Sequence, residues 1–330
     1  MINYNTNIKL ILILSFLFST NFLFSQNNKE VVGADSYFEF EFQNDFFFKT
    51  DYYFSNGISL NFIFPKLKKI PLSKLLIPTR LQSTDYYAVS IVQELYTPVK
   101  TNLKSIPFND RPYSSIMYLG YKKNSFIEQT HMKISNEIII GIIGSYSYGE
   151  ITQSKFHEAI NNGIPAGWDN QVANDLILNY EYDIELEIIG NAFFELLGRS
   201  IIHAGTLYDD ASVGIKLRLG YFNPNYTGFG QMNTKKIGTE TIKRFQFYTF
   251  INPSAKLVLY NGTLQGGMFN KKSIYVLKNN EISPVVLSLD AGIILQYSWF
   301  QLKLEMSALS PEFRGGYSHK YGNVGIRINF

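Results

Sequence analysis

The feature that most narrows the fold is an alternation of apolar and polar residues with a period of two, recurring from Phe38 to the last residue. Phe38, Phe40 and Phe42 alternate with Glu39, Glu41 and Gln43. Further on, Leu176, Leu178, Tyr180, Tyr182, Ile184 and Leu186 alternate with Asn179, Glu181, Asp183, Glu185 and Glu187, Ile177 being the one apolar exception in the polar row. Residues 287–298, 301–308 and 323–330 repeat the pattern, the last with Val324, Ile326, Ile328 and Phe330 on its apolar face. Successive side chains of a strand point to opposite faces, so each segment reads as a strand with one apolar and one polar face. Other candidate strands lie at 55–64, 86–95, 113–121, 129–144, 213–220 and 241–260. In 190–210 a turn at Gly190-Asn191 and a strand through 201–207 compete with one irregular crossing.

A soluble sandwich also alternates, but it buries its apolar faces in pairs and turns its charged faces to water. A transmembrane barrel does the reverse, with apolar rows toward lipid and polar rows lining the lumen. Composition favours the barrel: 16% of residues are aromatic, with 27 Phe and 23 Tyr, against 17% charged. Beyond residue 25 no segment has the uninterrupted apolar length of a membrane helix. The expected fold is an all-β, antiparallel transmembrane barrel of about 12 strands, with one short helix in a loop on the extracellular side. A chain ending on an aromatic-tipped strand suits a barrel whose last strand closes against the first.

The N-terminus carries Lys9 and then the apolar run 10–24, the n- and h-regions of a signal peptide cleaved after Ser25. An uncleaved anchor is the alternative. Residues 26–330 then form one barrel domain, since no Pro/Ser-rich linker or internal repeat divides them. The chain contains no cysteine, which rules out a disulfide framework and a lipid-modified cysteine. A formal net charge of +3 without a basic, aromatic-interleaved stripe gives no footprint for nucleic acid.

The polar interruption 144–175 is too long and too rich in hydrogen-bonding groups to be a plain connector. If 148–160 is a helix, Gln153 and His157 are four residues apart and share a face. Gly163, Pro165 and Gly167 end it, and Trp168, Asp169, Asn170 and Gln171 follow. Earlier, Asn44 and Asp45 close one strand and Ser55-Asn56-Gly57 begins the next. Continuing the alternation places Asp45 and Ser55 on the lumen side, near each other at the outer mouth. Asp45 and Asn56 also fit a plain reading, as turn residues that satisfy backbone groups. Arg111, between Asp110 and Pro112 at a strand entrance, either holds Asp110 or binds a phosphate or developing oxyanion. His131 and His319 lack such polar surroundings, and His203 has no assigned role.

Five ordered motifs then match a known pattern: N-D-x-F-x-x-T-D-x-Y-x-S-N-G at 44–57, Y-T-P at 96–98, D-R-P-Y at 110–113, G-x-x-x-x-G-E-x-x-Q-x-x-x-H at 144–157 and G-W-D-N-Q at 167–171. Together they resemble the LpxR family of outer-membrane lipid A 3'-O-deacylases, through nearly all of the mature chain. The resemblance implies a 12-stranded barrel and a calcium-dependent esterase site between barrel wall and lipid. It places Asn44, Asp45, Gln153 and His157 in the site, His157 as the base. Ser55 stands where a threonine is usual. Asp175 replaces the more usual glutamate as a calcium ligand beside Asp45, and Arg111 takes the oxyanion-facing role.

The chemistry is coherent on its own terms. A neutral imidazole can take a proton from water at physiological pH. Calcium prefers hard oxygen ligands and polarises an ester carbonyl. Without a G-x-S-x-G element, direct water attack is preferred to a serine nucleophile. The expected protein is a monomeric outer-membrane hydrolase acting on lipid A or lipopolysaccharide of the outer leaflet. The alternatives are a lipase of different acyl-lipid specificity and a non-enzymatic barrel.

Overall fold

The computed structural model describes residues 31–45, 52–161, 163–229, 236–237 and 240–330. The signal-peptide segment and Thr50-Asp51 lie outside the described residues. Twelve strands close into an antiparallel barrel: β1 (Tyr37–Asn44), β2 (Tyr53–Ile63), β3 (Thr84–Thr97), β4 (Ser114–Ile127), β5 (Met132–Ile143), β6 (Asp175–Gly190), β7 (Phe194–Gly205), β8 (Tyr208–Tyr221), β9 (Phe245–Asn261), β10 (Val285–Tyr297), β11 (Phe300–Leu309) and β12 (His319–Asn329). Each strand pairs with the next in sequence, and β12 closes on β1 with Val324 opposite Phe42. A short strand at Val31–Val32 adds in parallel to β3, and Lys236–Ile237 pairs with Glu240–Thr241 in a small separate hairpin. The competition within 190–210 resolves as a turn at 191–193 followed by β7.

The alternation has the physical origin it suggested. Outward Leu178, Ile215, Ile251 and Leu287 are exposed to the surroundings. The inward rows form ion pairs: Lys122 with Glu137, Arg199 with Asp183, Lys303 with Glu41, and Arg327 with Glu39. Ile177, the exception in its polar row, joins Ile116, Ile139, Ile143, Val172 and Leu207 in a buried apolar cluster. Exposed Phe193, Tyr221, Phe245, Tyr297, Trp299 and Phe330 gather at one end, as an interfacial aromatic girdle does. Among the described residues no helix is long and apolar enough to cross a membrane.

Because every barrel pairing is antiparallel, alternate connections share a rim. The connections that follow β1, β3, β5, β7, β9 and β11 open at one end. The start of β1, the end of β12 and the connections that follow β2, β4, β6, β8 and β10 lie at the other, three of them the short turns 128–131, 191–193 and 298–299. Short turns mark the periplasmic end of such barrels and long loops the extracellular end. Single cysteines at Ser105 and Ser145 are expected to react with a non-permeant thiol reagent on intact cells, whereas one at Asn191 is expected to be protected. Protection of both loop positions with labelling at Asn191 would reverse the topology.

Several long loops fold inward. Ser283 N donates to Glu312 O and Arg314 N to Glu281 O, which ties 262–284 to 310–318, and Leu277 N donates to Leu264 O within the first of these loops. Tyr53, Leu264, Leu277, Ile282 and Phe313 form a buried cluster there. The outer mouth is therefore packed by loops, not left as an open vestibule.

Candidate active site

Helix α1 (Gly149–Ala159) occupies the expected stretch of the 144–174 loop. It lies against the outside of the barrel wall. Gln93, an outward residue of β3, donates Nε2 to Ser147 O at 2.6 Å and accepts from Thr152 Oγ1 at 3.1 Å. At the far end of α1 the Phe156 ring packs 6.0 Å from Phe42 of β1. The helix thus crosses the exterior of four consecutive strands.

Two glycines of the G-x-x-x-x-G motif make this approach possible. Gly144 has a φ of +101°, and a Cβ there would meet the Asn174 backbone at 2.8 Å. At Gly149 a Cβ would meet Ser115 Cβ at 2.3 Å and Oγ at 2.5 Å, so the first turn of α1 rests directly on β4. The Ser115 and Ser147 hydroxyls bond across this contact. Alanine is the better helix former by about 1 kcal/mol, yet Gly149→Ala is expected to lift α1 from the wall. Any chemistry that depends on side chains of α1 should slow at least about tenfold, the cost of a misplaced group, while the folded band on an unboiled gel remains. Wild-type turnover by G149A would show that the close contact is dispensable.

Strand register explains the setting. Asn44, Asn56, Leu95 and Ser115 form one outward row around the wall. The next row down is Phe42, Ile58, Gln93, Met117 and Ile142. Below that come Ile91, Leu119 and Ile140, which are 41%, 57% and 46% exposed. A polar row beneath the helix therefore sits only two rows, about 13 Å along the strands, above a lipid-facing one.

On the inner face of α1, Gln153 and His157 are both buried, as their spacing predicted. His157 Nδ1 lies 2.6 Å from Gly163 O. A carbonyl can only accept, so Nδ1 carries a proton, and in the neutral ring the lone pair is then on Nε2. Trp168 Nε1 donates to Gln153 Oε1 at 2.8 Å. An indole can only donate, which fixes the amide oxygen toward Trp168 and turns Nε2 the other way, where it is buried without a hydrogen-bond partner. Trp168 itself is 1% exposed and clusters with Leu95 and Tyr113.

At the strand ends, Asn44 Nδ2 donates to Ser55 O at 2.8 Å, and the Ser55 and Thr97 hydroxyls are 2.6 Å apart. Asn44, Asp45, Ser55, Asn56 and Thr97 are all buried. Ser55 does not occupy the expected inward row. A bulge between Phe54 and Asn56 shifts the register: Phe54 packs inside against Tyr96 and Tyr321, while Ser55 joins Asn44 and Thr97. Extrapolating the alternation failed there because a bulge adds one residue to one strand. The spacing alone gave no sign of it.

Two other candidates are placed elsewhere. Arg111 is 0% exposed and occupies the packed mouth: it donates to Glu312 Oε2 at 2.5 Å and to Thr263 Oγ1 at 2.6 Å, and its guanidinium stacks 4.2 Å over the Tyr96 ring. Asp175 Oδ2 accepts from the backbone of Phe269 and Asn270 at 2.7 and 2.8 Å, and its Oδ1 from Leu176 N. It caps the 266–270 turn, and the structure does not bring it to His157. The remaining histidines are also apart: His131 stacks on Tyr226, His203 lies between Asp210 and Glu181, and His319 packs on Tyr53.

Among the described residues no three His, Asp or Glu side chains gather as a metal cluster. Oxygen donors suited to a hard cation are nevertheless present. Asp45 supplies a buried carboxylate, and Asn56 Oδ1 and Gln171 Oε1 are buried carbonyl oxygens without a hydrogen-bond donor. Such orphaned acceptors are rare in folded proteins and fit calcium better than a nitrogen- or sulfur-seeking metal. The sequence left Asn56 open between a turn residue and the site, carried Thr97 only within its Y-T-P motif and gave no sign of Gln93.

Comparison with solved structures identifies LpxR from Salmonella typhimurium as similar, with a TM-score of 0.69 and 20% identity over 88% of this chain and 99% of that one. The beta domain of the Bordetella autotransporter BrkA gives a TM-score of 0.41 at 7% identity, over 90% of this chain and 99% of that one. No curated protein matches the sequence. The family described as outer membrane protein LpxR matches residues 10–330. The closed barrel and the match over residues 10–330 agree, and this outer-membrane chain belongs to the LpxR family.

Proposed function

We propose that the protein is a lipid A deacylase that hydrolyses the 3'-linked acyl ester in the outer leaflet, using water activated by His157. The observation that carries this reading is the placement of a buried imidazole, with Nδ1 committed to a carbonyl, on a helix clamped to the lipid-facing side of the barrel. Water attacks the ester carbonyl carbon as His157 Nε2 takes its proton. The carbonyl electrons move to oxygen, and the amide Nε2 of Gln153 is the donor oriented to meet that charge. Collapse expels the sugar oxygen, which recovers the proton from His157. Asp45, with Asn56 and Gln171, would hold calcium, whose chemistry is polarisation of the ester carbonyl.

The opening suits an acyl glycolipid. Exposed Tyr146, Tyr148 and Ile164 flank the helix and exposed Ile151 projects from it, at the level where a lipid ester meets its headgroup. Beside it, a cavity of about 390 Å³ lined by Tyr53, Lys100, Leu103, Phe108 and Tyr317 offers aromatic and cationic walls to sugar and phosphate. Purified protein with calcium should lower the mass of lipid A by one 3'-linked acyl or acyloxyacyl unit, and chelation should stop it. Faster hydrolysis of phosphatidylethanolamine, or loss of a chain from another position, would favour a lipase of different specificity. A protein inert toward both lipids would favour a non-catalytic barrel.

A further inference from the structure

The connection between β2 and β3 is unusual in composition. Residues 61–83 carry Lys66, Lys68, Lys69, Lys74 and Arg80 and no acidic residue, in a chain whose net charge is only +3. Three prolines, Pro65, Pro71 and Pro78, keep it out of the sheet, and it folds as two short turns, Pro65–Lys69 and Pro71–Leu75.

It does not hang into solvent but folds back over the outside of the barrel. Tyr121 Oη donates to Leu67 O at 2.9 Å, Ile77 N donates to Tyr180 Oη at 2.9 Å, and Thr79 Oγ1 donates to Ser125 Oγ at 2.7 Å. Leu67, Ile70, Leu72 and Leu76 pack on Tyr87, Tyr121 and Ile138. The covered row, Val89, Tyr121, Ile138 and Tyr180, lies directly below the exposed row Ile91, Leu119, Ile140 and Leu178.

That placement sets its depth. On this face α1 touches the row of Gln93 and the connection covers the row of Val89, four residues or about 13 Å lower. The apolar band of such a barrel is about 25 Å tall. The connection therefore lies within the bilayer's edge, at the rim that carries the termini. Its surface has the matching chemistry: Leu75 and Ile77 are 66% and 36% exposed, and Lys66, Lys69 and Lys74 are exposed beside them.

We propose that residues 64–80 form a basic collar that binds the phosphate groups of anionic phospholipid in the periplasmic leaflet. Its leucines and isoleucines enter the acyl region while its lysines reach the headgroups. This anchors the wall that supports α1 from the opposite leaflet, and it is independent of what α1 does chemically.

The test is competition between fluorescent phosphatidylglycerol and the unlabelled lipid for the full-length protein in mixed detergent micelles. The triple variant K66Q/K69Q/K74Q should bind at least about tenfold more weakly, given the usual contribution of each lysine near an anionic surface. K66R/K69R/K74R should bind like wild type, and binding should weaken in high salt. Inorganic phosphate at the same concentration should not compete. Equal binding by the glutamine variant, or efficient competition by phosphate, overturns the collar. If the glutamine variant does not fold, loss of wild-type binding in high salt with intact binding of phosphatidylcholine supports it, and salt-independent binding overturns it. Labelling of a Lys74→Cys variant by a non-permeant reagent on intact cells would place the collar in the wrong leaflet and overturn it as well.

Discussion

His157→Ala is expected to reduce ester hydrolysis at least about a hundredfold, the range for loss of a positioned general base, while leaving the barrel folded. The imidazole has no part in the sheet or the packed mouth. It lies on α1, and its Nδ1 bonds to Gly163 O, within its own loop. Losing it should leave the antiparallel ladder and the lumen ion pairs untouched, so heat-modifiable migration on a gel should match wild type. Turnover of lipid A, measured by mass spectrometry over time, should nearly stop. Full turnover by folded H157A would remove histidine base catalysis, and water activation would then have to come from another group such as the Asp45 carboxylate. A parallel Trp168→Phe measurement separates positioning from packing: it keeps the ring against Tyr113 but removes the donor that orients Gln153.

Arg111→Ala is expected to act on stability before selectivity. The guanidinium is fully buried and pairs with Glu312, whose side chain is 15% exposed. Removing one partner of a buried pair leaves an uncompensated charge and typically costs about 3–5 kcal/mol. The loss of the Tyr96 stack and the Thr263 bond adds to it. Burial alone would raise the Glu312 carboxyl, but the charge and hydrogen bond of Arg111, together with the charges of His319 and Lys256, outweigh it and hold the pKa below its ordinary 4.5. A depressed folded-state value stabilises above the unfolded value and loses that contribution as pH falls through the folded one. The wild-type barrel should therefore weaken as pH drops below about 4.5, and R111A should show less of that slope. Thermal loss of the folded gel band at a series of pH values measures both effects. The double variant R111M/E312L should recover stability, because matched apolar replacement removes both desolvation costs. A stable R111A barrel with altered acyl-position selectivity would return Arg111 to the phosphate-binding role expected from its motif.

The contrast between these two residues shows what the chain's own order could reveal. The strands were legible because each outward or inward choice is local: the pleat sends neighbouring residues to opposite faces, and lipid and lumen demand opposite chemistry from them. Leu176 to Leu186 and their acidic partners needed no tertiary information to be sorted. Helix α1 was equally legible, since the four-residue spacing of Gln153 and His157 is a property of one helix. Which polar groups meet was not. Ser55 was misplaced by a single bulge residue, and the Ser55–Thr97 contact spans 42 positions. Arg111 sits in a motif beside Asp110, yet its charge is answered by Glu312, 201 positions away. Asp175 borders the site in sequence and caps a turn from another loop in space. Periodicity encodes which face a residue takes, whereas the site and the packed mouth are made by loops converging on a closed barrel, and closure brings together groups whose separation along the chain carries no signal.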